Sequence, residues 1–314
     1  MGTIHKPKAG SLQYWPRKRA ERILPNVNWN TIKSSSANLL GFIGYKVGMT
    51  SAFVKDETAD SMTKGKRIIL PATIVECPGI KIYSIRFYKN KKVVGDLIVS
   101  NDKELKRVVK VPKQLGKIDD VKVDFDDLRV IVYSEVKKTD IKKTPDMIEL
   151  AIGGTKEQKL AFIKEKIGKT ISLSEVFSKG LVDVRGVTIG KGLQGPVKRF
   201  GITLKSHKSE KGVRRPGSLG PWHPARVTFV TAMAGQLGYF TRVTLNNLIL
   251  KSGKISETNI NKVGGFKHYG NIKTEFLVIN GSLQGPQKRP LLLTPSFRPT
   301  KRQLKQKLEF VELR

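Results

Sequence analysis

Apolar residues recur along the chain with two different periods. Short runs rich in Val, Ile, Leu, Phe and Tyr, bounded by Gly, Pro or Lys, predict strands over 39–54, 67–79, 81–88 and 92–100. The same signal returns over 182–190, 225–233, 239–253 and 275–283. Short strands at this spacing predict a mainly β fold, an antiparallel sheet closed into a barrel. Between the two groups the period lengthens. TKEQKLAFIKEKIG (155–168) puts Leu160, Ile163 and Ile167 on one face of a helix stopped by Gly168. SLSEVFSKG (172–180) predicts a short helix capped by Ser172 or Ser174 and ended at Gly180. With strand candidates at 129–135 and 147–154, this section reads as an α+β insertion that splits the barrel into two sequence halves. The expected order is therefore a basic N-terminal extension (1–38), a first half-barrel (39–100), the insertion (101–181), a second half-barrel (182–283) containing a basic loop (190–226), and a basic C-terminal segment (284–314). No repeat of fixed period and no heptad pattern is visible.

Charge changes this picture. The 314 residues carry 59 Lys and Arg against 26 Asp and Glu, a formal net charge of +33. Such self-repulsion destabilises a compact chain unless a polyanion neutralises it, and nucleic acid is the leading partner. The charge is also uneven. Residues 101–185 hold 19 basic and 15 acidic side chains, so the remaining residues carry +29. The middle section thus reads as an ordinary solvated module, and the flanks as the binding regions.

Three stretches are one-sided. Residues 5–25 combine Lys6, Lys8, Arg17, Lys18, Arg19 and Arg22 with Tyr14 and Trp15. In 190–226, Lys191, Lys198, Arg199, Lys205, Lys208, Lys211, Arg214, Arg215 and Arg226 face only Glu210. The third covers 284–307. All three are rich in Gly and Pro yet punctuated by apolar or aromatic residues. That mixture predicts extended segments that become ordered on a nucleic-acid surface. Arg199, Arg214, Arg215 and Arg226 are the expected phosphate or base contacts, joined by Arg17, Lys18 and Arg19 at the N-terminus. The lysines of 190–226 add less oriented charge.

Other chemistries find little support. One cysteine, Cys77, excludes an intramolecular disulfide framework and multi-cysteine zinc sites. His5, His207, His223 and His268 have no metal-ligand spacing, so neither metal nor cofactor is expected. No apolar run is long enough to span a membrane, and MGTIHKPKAG has no apolar signal core. Gly190, Gly192 and Gly195 match G-x-G-x-x-G, but Pro196 and Lys198-Arg199 follow instead of an amphipathic helix. These glycines read as tight turns or as close approach of backbone amides to a phosphate. Gly168-Lys169-Thr170 fails as a phosphate loop because its first glycine would fall on Ile163. No catalytic motif is recognisable. The alternatives to a non-enzymatic RNA-binding protein are an RNA-modifying enzyme with a basic RNA-binding surface and a DNA-compacting protein. Trp222, beside His223 in GPWHPAR, reads either as a core residue or as an indole that stacks on an exposed base, worth about 1–3 kcal/mol.

Several blocks carry a family resemblance: AGSLQYWPRKRAE (9–21), GFIGYKVGMT (41–50), VDVRGVTIGKGLQGPVKRFG (182–201), GSLGPWHPARV (217–227), GQLGYFTRVTLN (235–246) and NGSLQGPQKRPLLLTPSFRP (280–299). In order and spacing they resemble large ribosomal subunit protein three in its archaeal and eukaryotic form. The resemblance implies a six-stranded barrel of the translation-protein type, carrying extensions that penetrate large-subunit (23S-type) ribosomal RNA. It implies a loop approaching the peptidyl transferase centre with Trp222 at or near its tip, and a part in early subunit assembly. Neighbouring large-subunit proteins would be further partners, and the cytoplasm the location, with no membrane and no small-molecule substrate. The 101–181 section looks like the insertion that sets this form apart from the shorter bacterial one. Two positions depart from the pattern: Phe200, where related sequences often have Trp, and Ser51, where many have His.

Overall fold

The computed structural model describes residues 14–32, 34–118 and 124–314. His5, Lys6 and Lys8 of the first basic stretch lie outside these, as do residues 119–123. Among the described residues thirteen strands run in the order β1 (Phe42–Asp56), β2 (Arg67–Cys77), β3 (Ile80–Lys89), β4 (Lys92–Ile98), β5 (Asp127–Ser134), β6 (Met147–Ala151), β7 (Leu181–Val187), β8 (Gly190–Gln194), β9 (Gly235–Gly238), β10 (Thr241–Lys254), β11 (Glu275–Asn280), β12 (Pro290–Pro295) and β13 (Leu308–Leu313). Punctuating them, again among the described residues, are the helices α1 (Lys156–Lys166), α2 (Leu173–Val176), α3 (Pro196–Phe200) and α4 (Lys301–Lys305). The fold is mainly β, as the hydrophobic pattern predicts.

Strands of the larger sheet follow the order β12-β7-β10-β11-β2-β1-β13. β1 is long enough for three antiparallel neighbours. It pairs with β2 along most of its length, with β12 from Phe42↔Leu293 to Tyr45↔Pro290, and with β13 over Ala52–Asp56. Its first half is buried at every residue from Phe42 to Val47. Alternation along β11 divides the core between two faces. Leu277 and Ile279 join one apolar cluster, and Phe276 and Val278 join another.

β3 and β4, read above as part of the first half-barrel, do not enter this sheet. They form a four-stranded sheet, β4-β3-β5-β6, with two strands of the middle section. One cluster joins Phe42, Tyr45 and Leu291 of the larger sheet to Ile82, Val130 and Leu150 of the smaller. The middle section therefore shares its core with the strands that flank it. α1 starts at the Thr155–Gln158 capping box and buries Ile163, with Leu160 and Ile167 partly buried on the same cluster. α2 is shorter than predicted, because Phe177 turns extended and buries its ring.

Three further expectations change. Residues 225–233 form no strand: Val227 and Phe229 alternate as in one, but no neighbouring strand takes up their backbone hydrogen bonds, and both are exposed. Residues 284–314 are not solely a basic surface segment, since β12 is buried from Pro290 to Thr294 and β13 pairs with β1. Within 1–38, Leu24, Trp29 and Ile32 are buried, and Trp29 Nε1 donates to the Glu149 carbonyl at 3.1 Å. In the latter two cases apolar residues inside a basic stretch found a core to enter.

Buried polar groups tie the loops to the larger sheet. The fully buried Glu76 carboxylate on β2 accepts from the Tyr269 hydroxyl, the Lys273 and Thr274 amides (2.8 and 2.9 Å) and Thr274 Oγ1 (2.9 Å). Lys46 Nζ donates to the carbonyls of Leu283 (2.6 Å) and Gly285 (2.9 Å), and burial lowers its pKa. Asp183 accepts from the amides of Asn246 (2.8 Å) and Phe297 (3.1 Å). Satisfied in this way, buried polar groups fix loop conformation instead of penalising the fold.

Candidate nucleic-acid interface

The chain divides into two compact units. One comprises the described part of Met1–Arg22 with Val187–Arg242; the other is Ile23–Gly186 with Val243–Arg314. The first unit brings two of the basic stretches together. From Tyr14 to Arg22 and from Val187 to Arg242 it carries 14 Lys and Arg, while its carboxylates are Glu21 and Glu210.

A small frame sets the base of the unit. β8 and β9 pair from Gly190↔Gly238 to Gln194↔Gly235, with an irregularity between Gly190 and Leu193. Gly238 has φ +69°, and a Cβ there would lie 2.1 Å from the Ile189 carbonyl oxygen, so only glycine permits this crossing. α3 opens with Pro196 at its first position and closes at the left-handed Gly201 (φ +65°), whose amide donates to the Val197 carbonyl. The G-x-G-x-x-G glycines thus serve an antiparallel strand pair and a five-residue helix. That is not the strand–helix–strand unit a dinucleotide needs.

Aromatic and arginine side chains pack on this frame. Trp15 stacks on Phe200 with ring centroids 5.5 Å apart and meets Phe229 edge-on at 5.8 Å. The Arg17 guanidinium lies 4.3 Å from the Phe200 centroid, and its Nη1 donates to the Arg199 carbonyl at 2.7 Å. Arg199 Nε donates to the Gln236 carbonyl (3.0 Å), and its Nη1 to those of Met233 (3.0 Å) and Ala234 (3.4 Å). Arg242 lies over Tyr14 (4.3 Å) and Phe240 (4.9 Å), and Arg19 over Tyr239 (5.2 Å). The Ala20 amide donates to the Tyr239 carbonyl at 2.8 Å. Cation–π contacts of this kind are worth about 0.5–2 kcal/mol each.

Burial lowers the pKa of Arg17, Arg199 and Arg242, and the charge of Arg17 adds to the effect on Arg199. Guanidiniums stay cationic under such shifts, so the cluster concentrates positive charge on an aromatic floor.

Residues 201–234 leave this base without a helix or strand, crossing through turns such as Ser209 N to Ser206 O (3.0 Å) and Thr231 N to Thr228 O (3.1 Å). Trp222 is 88% exposed, which removes the core reading. His223, Lys208, Lys211, Arg214, Arg215 and Arg226 are exposed on the same segment, and Lys205 is half-buried. Lys18, Arg19, Lys191 and Lys198 are exposed near the base, Lys18 pairing with Glu21 at 3.3 Å. Two of the expected contact residues are different in kind. Arg17 and Arg199 are half-buried and spend their donors on backbone carbonyls, so they hold the unit together. Phe200 is buried under Trp15 and is not open to a base. Arg242 and Phe229 were missed, because both lay in segments read simply as strand.

The sequence pattern of the family described as ribosomal protein L3 matches residues 1–95 and 86–314. This chain belongs to the ribosomal protein L3 family. Among its relatives is the large ribosomal subunit protein uL3 of Methanocaldococcus jannaschii, 39% identical over 313 residues that cover 94% of this chain and 92% of that protein. The uL3 proteins of Archaeoglobus fulgidus and Methanobrevibacter smithii are each 38% identical, covering 95% and 94% of this chain and 93% of each relative. For an L3-family chain, the exposed cations and Trp222 of 201–234 are the candidate interface, and the arginine–aromatic base is what supports it. Among the described residues no helix is long and apolar enough to cross a membrane, and no group of His, Cys, Asp and Glu gathers as for a metal ion.

Proposed function

We propose that this protein is a structural, non-enzymatic constituent of the cytoplasmic large ribosomal subunit that binds 23S-type ribosomal RNA beside neighbouring subunit proteins. The observation that carries the reading is Trp222, exposed on a one-sided basic segment whose base is locked by Trp15, Phe200 and three arginines. Lys208, Lys211, Arg214, Arg215 and Arg226 neutralise phosphates and release counterions, and Trp222 with His223 stacks on exposed bases or packs against RNA. In this reading the segment reaches towards the peptidyl transferase centre, and binding supports early assembly of the subunit. The names of the archaeal relatives favour this over an RNA-modifying enzyme.

The proposed architecture is a six-stranded translation-protein-type barrel. β12 supports closure because it pairs with β7 on one edge and β1 on the other. The proposed division assigns β1 and β2 to the first half of that barrel, β7 and β10–β12 to the second, and the four-stranded sheet with α1 and α2 to the insertion. Sedimentation of the chain through a high-salt sucrose gradient tests the function. Persistent migration with large subunits is expected; release at moderate salt, or turnover on free ribosomal RNA, would overturn it.

A further inference from the structure

By composition residues 101–185 are nearly charge-balanced, but the fold sorts their charges into two different surfaces. A 3₁₀ turn, Lys103–Arg107, buries Leu105 completely against Tyr83 and Tyr133, with Val109 and Val111 partly buried on the same cluster. Further on, the Gly116 amide donates to the Ile98 carbonyl at 3.2 Å. The segment is therefore fixed to the four-stranded sheet and cannot swing its charges freely into solvent.

A hollow lies to either side of the turn. In the first, among the described residues, three of the four cations meet an anion, Lys103 being the exception. Lys81 pairs with Asp102 (3.3 Å) and Glu135 (3.4 Å), Lys137 with Glu104 (3.6 Å) and Lys138 with Glu135 (2.6 Å). Among the described residues the second hollow is lined by six consecutive ones, Lys106 to Val111, none of them a carboxylate. Lys106, Arg107 and Lys110 are exposed there, and among the described residues none of them is in an ion pair. The carboxylates of the same sheet are committed elsewhere: Asp124 to Lys89 (2.6 Å), Asp127 to Lys159 (2.5 Å), and Glu149 to Arg86 and Arg129. Lys113 and Lys117 extend the exposed run.

We propose that Lys106, Arg107 and Lys110 form a second foothold for RNA, one that binds backbone phosphates. Three like charges held side by side on a buried anchor repel one another until an anion joins them. The planar fork of Arg107 suits phosphate oxygens, and the two lysines supply point charge on either side. The exposed Val108 offers a small apolar contact to sugar, whereas a protein-binding surface would present a broader apolar or aromatic centre. The foothold rests on the ribosomal RNA reading above and adds a surface from the other compact unit.

The test measures binding of the full chain to large-subunit ribosomal RNA across a salt series. K106Q/R107Q/K110Q is expected to lower the slope of log affinity against log salt by about 2–3, at roughly 0.7–0.9 per phosphate. The charge-retaining K106R/R107K/K110R should keep the native slope, which separates charge from any loss of folding. A K208Q/K211Q/R214Q variant reports the main interface independently. If that variant lowers the slope while K106Q/R107Q/K110Q does not, the foothold is wrong and the main reading stands. Loss of binding to an acidic protein partner with an unchanged RNA slope would also overturn the foothold. If the unaltered chain fails to bind this RNA, both readings fall.

Discussion

The two compact units use charge in opposite ways. The larger one satisfies the charges it buries or half-buries internally: Glu76 accepts four hydrogen bonds, Lys46 donates to two carbonyls, and Arg86 joins Asp96 and Glu149 at 2.9 Å each. The smaller one has two carboxylates for 14 described cations and relies on aromatic faces and backbone carbonyls for cohesion. The core of the larger unit is satisfied as folded, and its surplus cations lie at the surface, as at Lys106, Arg107 and Lys110. The smaller unit holds its base in place while its outer charges wait for an anion. Loss of stability and loss of binding should therefore follow from different residues.

The strongest challenge to that contrast is Glu76→Ala. Removing a buried carboxylate orphans four donors, and a loss of about 3–5 kcal/mol is expected in urea unfolding. A loss under about 1 kcal/mol would mean that water replaces the carboxylate and that the larger unit is less self-contained. Trp222→Ala asks the converse. Its stability should stay within about 0.5 kcal/mol, while RNA affinity falls by about 1–3 kcal/mol. A broadened or lowered cooperative melt would sink the exposed-contact reading.

Trp15→Ala tests the base of the smaller unit. It should lower the local opening free energy of residues 201–234 by about 0.5–1.5 kcal/mol, read by hydrogen exchange, without shifting global unfolding. Lys208→Ala should lower the salt slope of RNA binding by about 0.7–0.9, and an unchanged slope would remove it from the contacts.

The smallest effect concerns pH. Asp56 accepts from Ser61 Oγ, Thr63 Oγ1 and the Thr58 amide, which hold its pKa well below the ordinary carboxylate value. Its contribution is present above about pH 4 and fades as acid protonates the folded carboxylate. Asp56→Asn should accordingly lose less stability than the native chain on acidification below pH 4.

The β elements were legible where alternation coincided with a neighbour to pair with, as in β1, β2 and β11. Alternation alone could not tell which sheet a strand joins, so β3 and β4 were assigned to the wrong partners. It also could not reveal that Val227 and Phe229 lack a partner strand altogether. The candidate interface was legible as charge, because one-sided composition survives any folding. The separate duties of its arginines were not. Arg199 and Arg215 look alike in sequence, yet Arg199 spends its guanidinium on backbone carbonyls whereas Arg215 is exposed. That distinction depends on which carbonyls the turn at Met233–Gln236 presents, a long-range fact with no local signature.

The pairing of β1 with β12 bears on the birth of the protein. Phe42 waits for Leu293, about 250 residues later in the chain. At about 5–20 residues per second, that is roughly 10–50 s during which one edge of β1 has no partner. The ribosome making this chain has to finish almost all of it before that edge is sealed. A nascent chain stalled before Pro290 would carry its basic segments into the cell on a sheet still open to aggregation.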